Sequence, residues 1–311
     1  MSNGPWIEKV CRELGDRELL VLVGPTASGK TALALELAEA LDGVVIGADS
    51  VQIYQHFNIG SGKPTGEERA RAPHDLVDML DPLASYDAAQ YVRDADDAIG
   101  RATAAGRRPI VCGGTFLWIK ALIHGLAPMP PAEPAIRLRH EQIVGTEGRA
   151  ELHAQLVAID PAASRRINPN DFVRVSRALE VFELTGKTQS AWHEEHAFGE
   201  SRHEARFVGI DRPRPELDAR IERRTAHWLA HGWIEEVEGL LASGYRDARA
   251  MESVGYRQVR DHLDDVLPHG DLGDAIVRAT RTFVRRQRTW LRDQDVHWLR
   301  HEATDNSAAP S

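Results

Sequence analysis

A parallel α/β sheet flanked by helices, of the phosphate-loop type and with a helical insertion, is the fold this sequence predicts, on three observations. Short apolar runs alternate with helical patterns, the first run ends in a glycine-rich turn, and the middle of the chain carries helical periodicity without a strand signal. Residues 19–23, Leu-Leu-Val-Leu-Val, form a continuous apolar run of strand length, followed by that turn and a helical pattern over 31–41. Residues 44–48 read as a second buried strand and 76–80 as a weaker third. Ser85 stands where it would cap a helix over 87–105, and 109–112 reads as another short strand ending in Gly113-Gly114. Four prolines, Pro128, Pro130, Pro131 and Pro134, then mark a boundary. Beyond it only helical patterns occur, over 135–144, 150–159 and 171–185. Strand character returns at 206–210, helices follow to about 295, and 296–299 is a last apolar segment. The core is therefore expected to be discontinuous, 1–126 with 203–311, around an insertion at 127–202.

At 311 residues, one large domain with an insertion, or two domains, is expected. A composition 42% hydrophobic and 27% charged lies far from the regime of disorder. The formal net charge of −9 excludes a protein that coats polyanions indiscriminately, so any nucleic-acid contact has to be local. Of 38 basic residues only Lys9, Lys30, Lys63, Lys120 and Lys187 are lysine. The arginine excess suits bidentate phosphate contacts, and the codon usage of a GC-rich genome would produce it equally well. Two cysteines, Cys11 and Cys112, build neither a disulfide framework nor a cysteine-rich zinc site, which fits a reducing compartment. Residues 1–14 mix Glu8, Lys9, Arg12 and Glu13 with isolated apolar side chains, so a signal-peptide core is not expected. The most apolar stretch, 110–127, is interrupted by Gly113, Gly114, Lys120 and His124, which argues against a membrane span. The expected location is the cytoplasm.

Gly24-Pro25-Thr26-Ala27-Ser28-Gly29-Lys30-Thr31 satisfies G-x-x-x-x-G-K-[ST] between an expected strand and an expected helix. Backbone N–H groups and the helix dipole then point at a diphosphate, Lys30 supplies a point charge, and the Thr31 hydroxyl is placed for Mg²⁺. A kinase usually adds a second metal-binding acid after a later strand. That strand here ends Val111-Cys112-Gly113-Gly114-Thr115, without an acid, which weakens the NTPase reading but leaves it open. Asp49 follows the second expected strand, so a parallel sheet puts it at the same carboxyl edge as the loop. There it can take a proton from a bound group or position that group, cap the next segment, or hold Mg²⁺ through water. Thr115 can reach that crevice or cap the following helix. Arg278, Arg281, Arg285, Arg288 and Arg292, spaced 3, 4, 3 and 4, put one face of an expected helix in arginine, to be met by an RNA backbone or by acids such as Asp293 and Asp295. His193-Glu194-Glu195-His196, with His203 nearby, lacks H-E-x-x-H spacing and reads as a polar, solvated segment.

Blocks through most of the chain resemble the tRNA dimethylallyltransferase family. They are the phosphate loop itself, Ala48-Asp49-Ser50-Val51-Gln52-Ile53-Tyr54, Ile59-Gly60-Ser61-Gly62-Lys63-Pro64, Ala72-Pro73-His74 and Gly113-Gly114-Thr115. Further on stand Asn168-Pro169-Asn170-Asp171, Arg177-Ala178-Leu179-Glu180, Gly255-Tyr256-Arg257-Gln258 and Arg286-Gln287-Arg288-Thr289-Trp290. The family commonly has Gly-Thr-Ala-Lys-Pro where this chain has Gly60-Ser61-Gly62-Lys63-Pro64, and tyrosine in place of Trp118. Neither change removes a charged or proton-transferring group.

The resemblance implies transfer of a dimethylallyl group from dimethylallyl diphosphate to the exocyclic amine of the adenosine 3′ to the anticodon of tRNA; Mg²⁺ is the expected cofactor and a monomer the expected state. It implies Asp49 as general base, Thr115 beside the reacting amine, the loop Gly24 to Thr31 around the diphosphate, and Arg220 and Arg224 closing over the leaving group. A solvated helix face paired with Glu216 or Glu222 is the alternative for those arginines. The insertion would grip the anticodon stem-loop. RNA contacts are expected at Asp49, Ser50, Val51, Gln52 and Thr115; at Arg137, Arg174 and Arg177; and at Glu252, Ser253, Val254, Gly255, Tyr256 and Arg257. The stripe would add Arg281, Arg285, Arg286, Gln287, Arg288, Trp290 and Arg292. Transfer to a free adenine nucleotide, a small-molecule kinase and a catalytically silent tRNA-binding protein are the competing readings.

Overall fold

Strands β1 (Leu19–Val23), β2 (Gly43–Ala48), β3 (His74–Asp75), β4 (Arg108–Gly113), β5 (Ala205–Asp211) and β6 (Val296–Arg300) form one sheet in the computed structural model, which describes residues 4–15, 18–196 and 201–300. Their order is β3-β2-β4-β1-β5-β6 and every pairing is parallel. β1 and β2 are buried along their whole length, which explains why both read as unbroken apolar runs: helices cover both faces of the sheet. Leu20 and Leu22 of β1 pack with Leu33 and Leu37 of the helix Lys30–Ala40. Val21 and Val23, one residue out of phase, pack in a second layer with Tyr91, Ile119 and Leu122.

The expected third strand moves. His74–Asp75 pairs with β2, whereas Leu76 and Asp78 have φ of 58° and 61°, which no strand accommodates. Leu80 makes only an isolated bridge to Tyr54. The helix Ala88–Ala104 is capped by Asp87, reciprocally with Gln90, rather than by Ser85. A helix at Gly4–Glu13, absent from the sequence expectations, packs Val10 into the first layer.

The chain divides into two compact units, His124–Ser201 and the remainder. The boundaries differ slightly from 127 and 202 because Arg202 N–H donates to Ile123 O at 2.6 Å, which ties both connections to the sheet-bearing unit. The 124–201 unit is built from the helices Pro134–Glu147, Arg149–Ile159, Phe172–Thr185 and Gln189–His196 around Leu152, Leu156, Val175 and Leu179. Its polar centre is Glu180, fully buried, which accepts from Glu133 N–H, Arg137 and Arg177.

Candidate active site

Four loops that follow strands meet at one sheet edge, because all six strands run the same way and β1 lies between β4 and β5. The loop after β1 is the phosphate loop. Gly24 (φ 154°) cannot carry a side chain, since a Cβ there would stand 2.9 Å from Ser28 Oγ. Ala27 takes φ 66° and Gly29 φ 100° before the helix Lys30–Ala40 begins. Arginines brace the loop from outside: Arg212 Nε donates to Ser28 O, Arg220 Nε to Ala27 O at 2.7 Å, and Arg224 to Thr26 Oγ1 at 2.9 Å. Two loop carbonyls are thereby engaged by guanidinium groups, while Ser28 N–H donates to Pro25 O at 3.2 Å, so an anion would be met by the N–H groups that remain at the start of the helix. Arg220 and Arg224 lie on the helix Arg214–Ala230, and Arg224 also stacks 4.5 Å over Trp228.

β2 and β4 end close together: a Cβ on Gly113 would lie 2.0 Å from Ala48 O. Asp49 and Thr115 are therefore neighbours. Asp49 Oδ1 accepts from Val51 N–H at 3.0 Å and Gln52 N–H at 3.3 Å, while Oδ2 has no protein hydrogen bond among the described residues. Thr115 Oγ1 accepts from Ser50 N–H at 2.9 Å, and Thr115 N–H donates to Ala48 O. Its hydroxyl thus fixes the Asp49 loop and does not cap the helix Phe116–His124. Gln52 secures the facing loop through Ser61 O and Gly62 O.

A cavity of about 360 Å³ opens between these loops, with Lys30, Thr31, Asp49, Arg220, Arg223 and Arg224 in its walls. A second, of about 180 Å³, shares Thr26, Asp49, Ser61 and Arg224 with the first and is otherwise walled largely by Val51, Trp228, Trp233, Val254, Ile276 and Phe283. Trp233 fits there only because Gly60 and Gly255 lack side chains: Cβ atoms would stand 2.1 and 2.3 Å from its ring. Burial lowers the Lys30 ammonium, an effect partly offset by Cys112 and Asp49. Burial and then Arg220 bring Arg224 down to about 10, against the pull of Asp49. The Cys112 thiol beneath Lys30 is pushed up to about 11, chiefly by burial. Among the described residues Asp49 is the one acid lining either cavity, facing four cations, so the site is built for a multiply charged anion.

The expected RNA contacts divide sharply. Gln287 is buried: its Oε1 accepts from Thr26 N–H at 2.9 Å and its Nε2 donates to Gly114 O at 3.3 Å, so it braces the phosphate loop. Tyr256 is fully buried and donates to Glu236, and Gly255 is packed beneath Trp233. Ser50, Val51, Ser253 and Val254 line the second cavity. Arg137 and Arg177 are committed to Glu180, Arg177 also to Pro130 O, and Arg174 is exposed beside Asp171. Glu252 pairs with Arg260, and Arg257 is exposed. On the helix His269–Leu291, Arg281 is paired with Asp218 and Glu222 and Arg288 approaches Asp211, acids from other elements and not Asp293 or Asp295. Arg278, Arg285, Arg286 and Arg292 are exposed, and Trp290 stacks on Phe116 with centroids 4.2 Å apart. Sequence reasoning missed Arg212 and Arg223; Arg212 precedes its helix, so no periodicity links it to Arg220 and Arg224. His203 bonds to Asp96, and no group of three or more potential metal ligands occurs among the described residues.

A phosphate loop that opens beside a carboxylate onto an aromatic-walled chamber has the charge and shape to suit a diphosphate ester with an apolar tail. The comparisons specify the family. A sequence model described as IPP transferase matches residues 52–294, and one described as isopentenyl transferase matches 17–72. A tRNA dimethylallyltransferase of Sorangium cellulosum is 62% identical over 91% of this chain and 90% of its own, and one of Geobacter sulfurreducens 44% identical over 93% and 94%. The crystal structure of a tRNA isopentenylpyrophosphate transferase from Bacillus halodurans is 34% identical, covers 92% of this chain and 90% of its own, and superposes with a TM-score of 0.67. The chain belongs to the IPP transferase family. No helix among the described residues is long and apolar enough to cross a membrane.

Proposed function

We propose that the protein transfers a dimethylallyl group from dimethylallyl diphosphate to the exocyclic amine of the adenosine 3′ to the anticodon in tRNA, releasing diphosphate. The observation that carries this reading is that Asp49 and Lys30 line one cavity, which adjoins an apolar chamber through Thr26, Asp49, Ser61 and Arg224. In that arrangement the diphosphate occupies the loop and the five-carbon tail the aromatic chamber. The adenine amine approaches between Asp49 and Thr115. The amine nitrogen bonds to C1 of the dimethylallyl group as the C1–O bond breaks. The electron pair leaves with the diphosphate, and the amine proton passes to the Asp49 oxygen that no backbone N–H holds. Lys30, Arg220, Arg224 and the loop amides face the charge that accumulates on the leaving group.

Mg²⁺ fits the donors present: the Thr31 hydroxyl borders the cavity, and hard oxygen donors with substrate phosphates are the usual holders of this ion. Held by Thr31, it would neutralise part of the diphosphate charge. The adenosine reaches the site by leaving its stack, at a cost of about a few kcal/mol. Exposed Arg174, Arg257, Arg285, Arg286 and Arg292 supply phosphate contacts, the 124–201 unit grips the stem-loop, and the protein acts as a monomer.

The test is incubation with labelled dimethylallyl diphosphate and Mg²⁺, offering unmodified tRNA or AMP as acceptor, with ATP turnover followed in parallel. Label is expected in tRNA. Label in AMP alone, or ATP turnover without transfer, would overturn the assignment. Asp49→Ala should slow single-turnover transfer by about 10²–10⁴-fold with tRNA affinity nearly intact; equal losses in both would remove Asp49 as proton acceptor.

A further inference from the structure

A cavity of about 300 Å³ lies on the side of the phosphate loop marked by Pro25, with Arg212, Arg288, Arg292, Arg300 and Trp298 among its walls. Its arginines come from three places: Arg212 follows β5, Arg300 ends β6, and Arg288 and Arg292 lie at the C-terminal end of the helix His269–Leu291. Among the described residues two carboxylates pair with these four guanidiniums. Asp211 is shared between Arg300 at 3.2 Å and Arg288 at 3.6 Å, and Glu216 pairs with Arg212. Among the described residues two of these charges have no carboxylate partner, in a chain whose formal net charge is −9. Like charges gathered this way repel unless an anion lies among them.

Trp298 gives the cavity its second character. It stands opposite Gly209 in the β5–β6 ladder, and a Cβ on Gly209 would lie 2.7 Å from its ring. The missing side chain lets the indole lie against the sheet. A half-buried ring held in this way beside guanidinium groups is the pairing that binds a nucleotide: the ring stacks on a base and the arginines take its phosphate. Pro25, Ile210 and Leu291 add apolar wall, but six of the ten lining residues are charged or carry an amide, which suits a nucleotide better than a lipid or prenyl chain. The arginine stripe thus ends in a recess and not in a flat track.

We propose that this cavity is a second nucleotide site, separate from the one that takes the diphosphate ester, with Trp298 as stacking platform and Arg292 and Arg300 as phosphate ligands. The nucleotide is either one unit of the tRNA strand, which rests on the function proposed above, or a free mononucleotide. Arg212 links the two sites, since it walls this cavity and donates to Ser28 O of the phosphate loop.

The test keeps the loop saturated with inorganic diphosphate and measures binding of two probes, a labelled anticodon stem-loop RNA and AMP, to the wild type, to Trp298→Leu and to Arg292→Ser/Arg300→Ser. Arg300 is exposed, with Asp211 its one ion-pair partner among the described residues, so the double variant keeps the proposal testable even where Trp298→Leu destabilises the sheet. A loss of about tenfold or more in both variants is expected for one probe. Loss for the RNA, with a shallower salt dependence in the arginine variant, identifies the tRNA strand; loss for AMP identifies a free nucleotide. Unchanged affinity for both probes in the folded double variant overturns the proposal. Prenyl transfer to tRNA is assayed separately: its absence in the wild type would sink the proposed function while a nucleotide affinity sensitive to Arg292 and Arg300 still supported the site.

Discussion

Replacing Gln287 by leucine separates two roles for one residue. Were it an RNA contact, the substitution would weaken tRNA binding and spare the phosphate loop. Its geometry requires the reverse. The side chain is 4% exposed, accepts from Thr26 N–H at 2.9 Å and donates to Gly114 O at 3.3 Å, so it bridges the loop after β1 to the loop after β4. Leucine keeps the volume and removes both bonds. The Thr26 N–H is then left without its partner, at about 1–3 kcal/mol, and the longer bond to Gly114 adds a fraction of that. About 2 kcal/mol in total, if it falls wholly on the loop's bound conformation, corresponds to roughly 30-fold in kcat/KM for dimethylallyl diphosphate. Steady-state kinetics with varied prenyl donor, a urea melt and filter binding of tRNA read the three quantities independently. Unchanged donor kinetics and stability together with weakened tRNA binding would refute the brace.

Three other outcomes follow from the site and from the insertion. Arg224→Ala should lower kcat by about 10²-fold, more than it raises the donor KM, since the proposed mechanism sets the guanidinium against charge that develops as the diphosphate leaves; a change confined to KM would assign it to ground-state binding. Trp228 borders both the 180 Å³ chamber and a separate cavity of about 490 Å³, so Trp228→Ala should join them and admit geranyl diphosphate as donor; undiminished discrimination against the ten-carbon chain would place the length limit elsewhere. Burial alone would raise the Glu180 carboxyl, but Arg137, Arg177 and Glu133 N–H outweigh it and hold the carboxyl below its ordinary value of 4.5. A depressed folded value means stability that is fully present above about pH 4.5 and is lost below that, as pH falls through the lower folded value, so Glu180→Gln should flatten the acid limb of the melting profile, and an unaltered limb would contradict the assignment.

What could be read in the sequence was what local pattern dictates. β1, the phosphate loop and the positions of Asp49 and Thr115 follow from an apolar run, a glycine spacing and the rule that parallel strands present their loops at one edge. The third strand was misplaced because residues 76–80 are apolar enough for a strand, while the positive φ of Leu76 and Asp78 is imposed by the loop that meets Tyr54. The expected RNA contacts include buried Gln287 and Tyr256 for a different reason: a resemblance in blocks does not separate residues that face a cavity from those that hold its walls. For Gln287 a signal existed. Thr280, Val284, Gln287 and Leu291 are spaced 4, 3 and 4 and are all buried, so Gln287 lies on the inner face of its helix while the arginine stripe occupies the face beside it. Tyr256 lies next to Gly255 (φ 96°), and only the fold reveals that this glycine makes room for Trp233.

The same helix, Arg214–Ala230, resolves how an acidic chain concentrates positive charge. Asp218 and Glu222 hold Arg281 of the neighbouring helix, while Arg220 and Arg224 turn to the phosphate loop. Among the described residues, acids therefore neutralise the arginines that join helices, while Asp49 is the one acid in the cavity that Lys30, Arg220, Arg223 and Arg224 line. Lys30 and Arg224 are both lowered by burial, so each opposes the unliganded fold below its folded value. A diphosphate reverses that sign, because an anion at the loop favours both charged forms. On the proposed function, a bound diphosphate would therefore offset the desolvation of these two cations and stabilise the protein through the groups assigned to the leaving diphosphate.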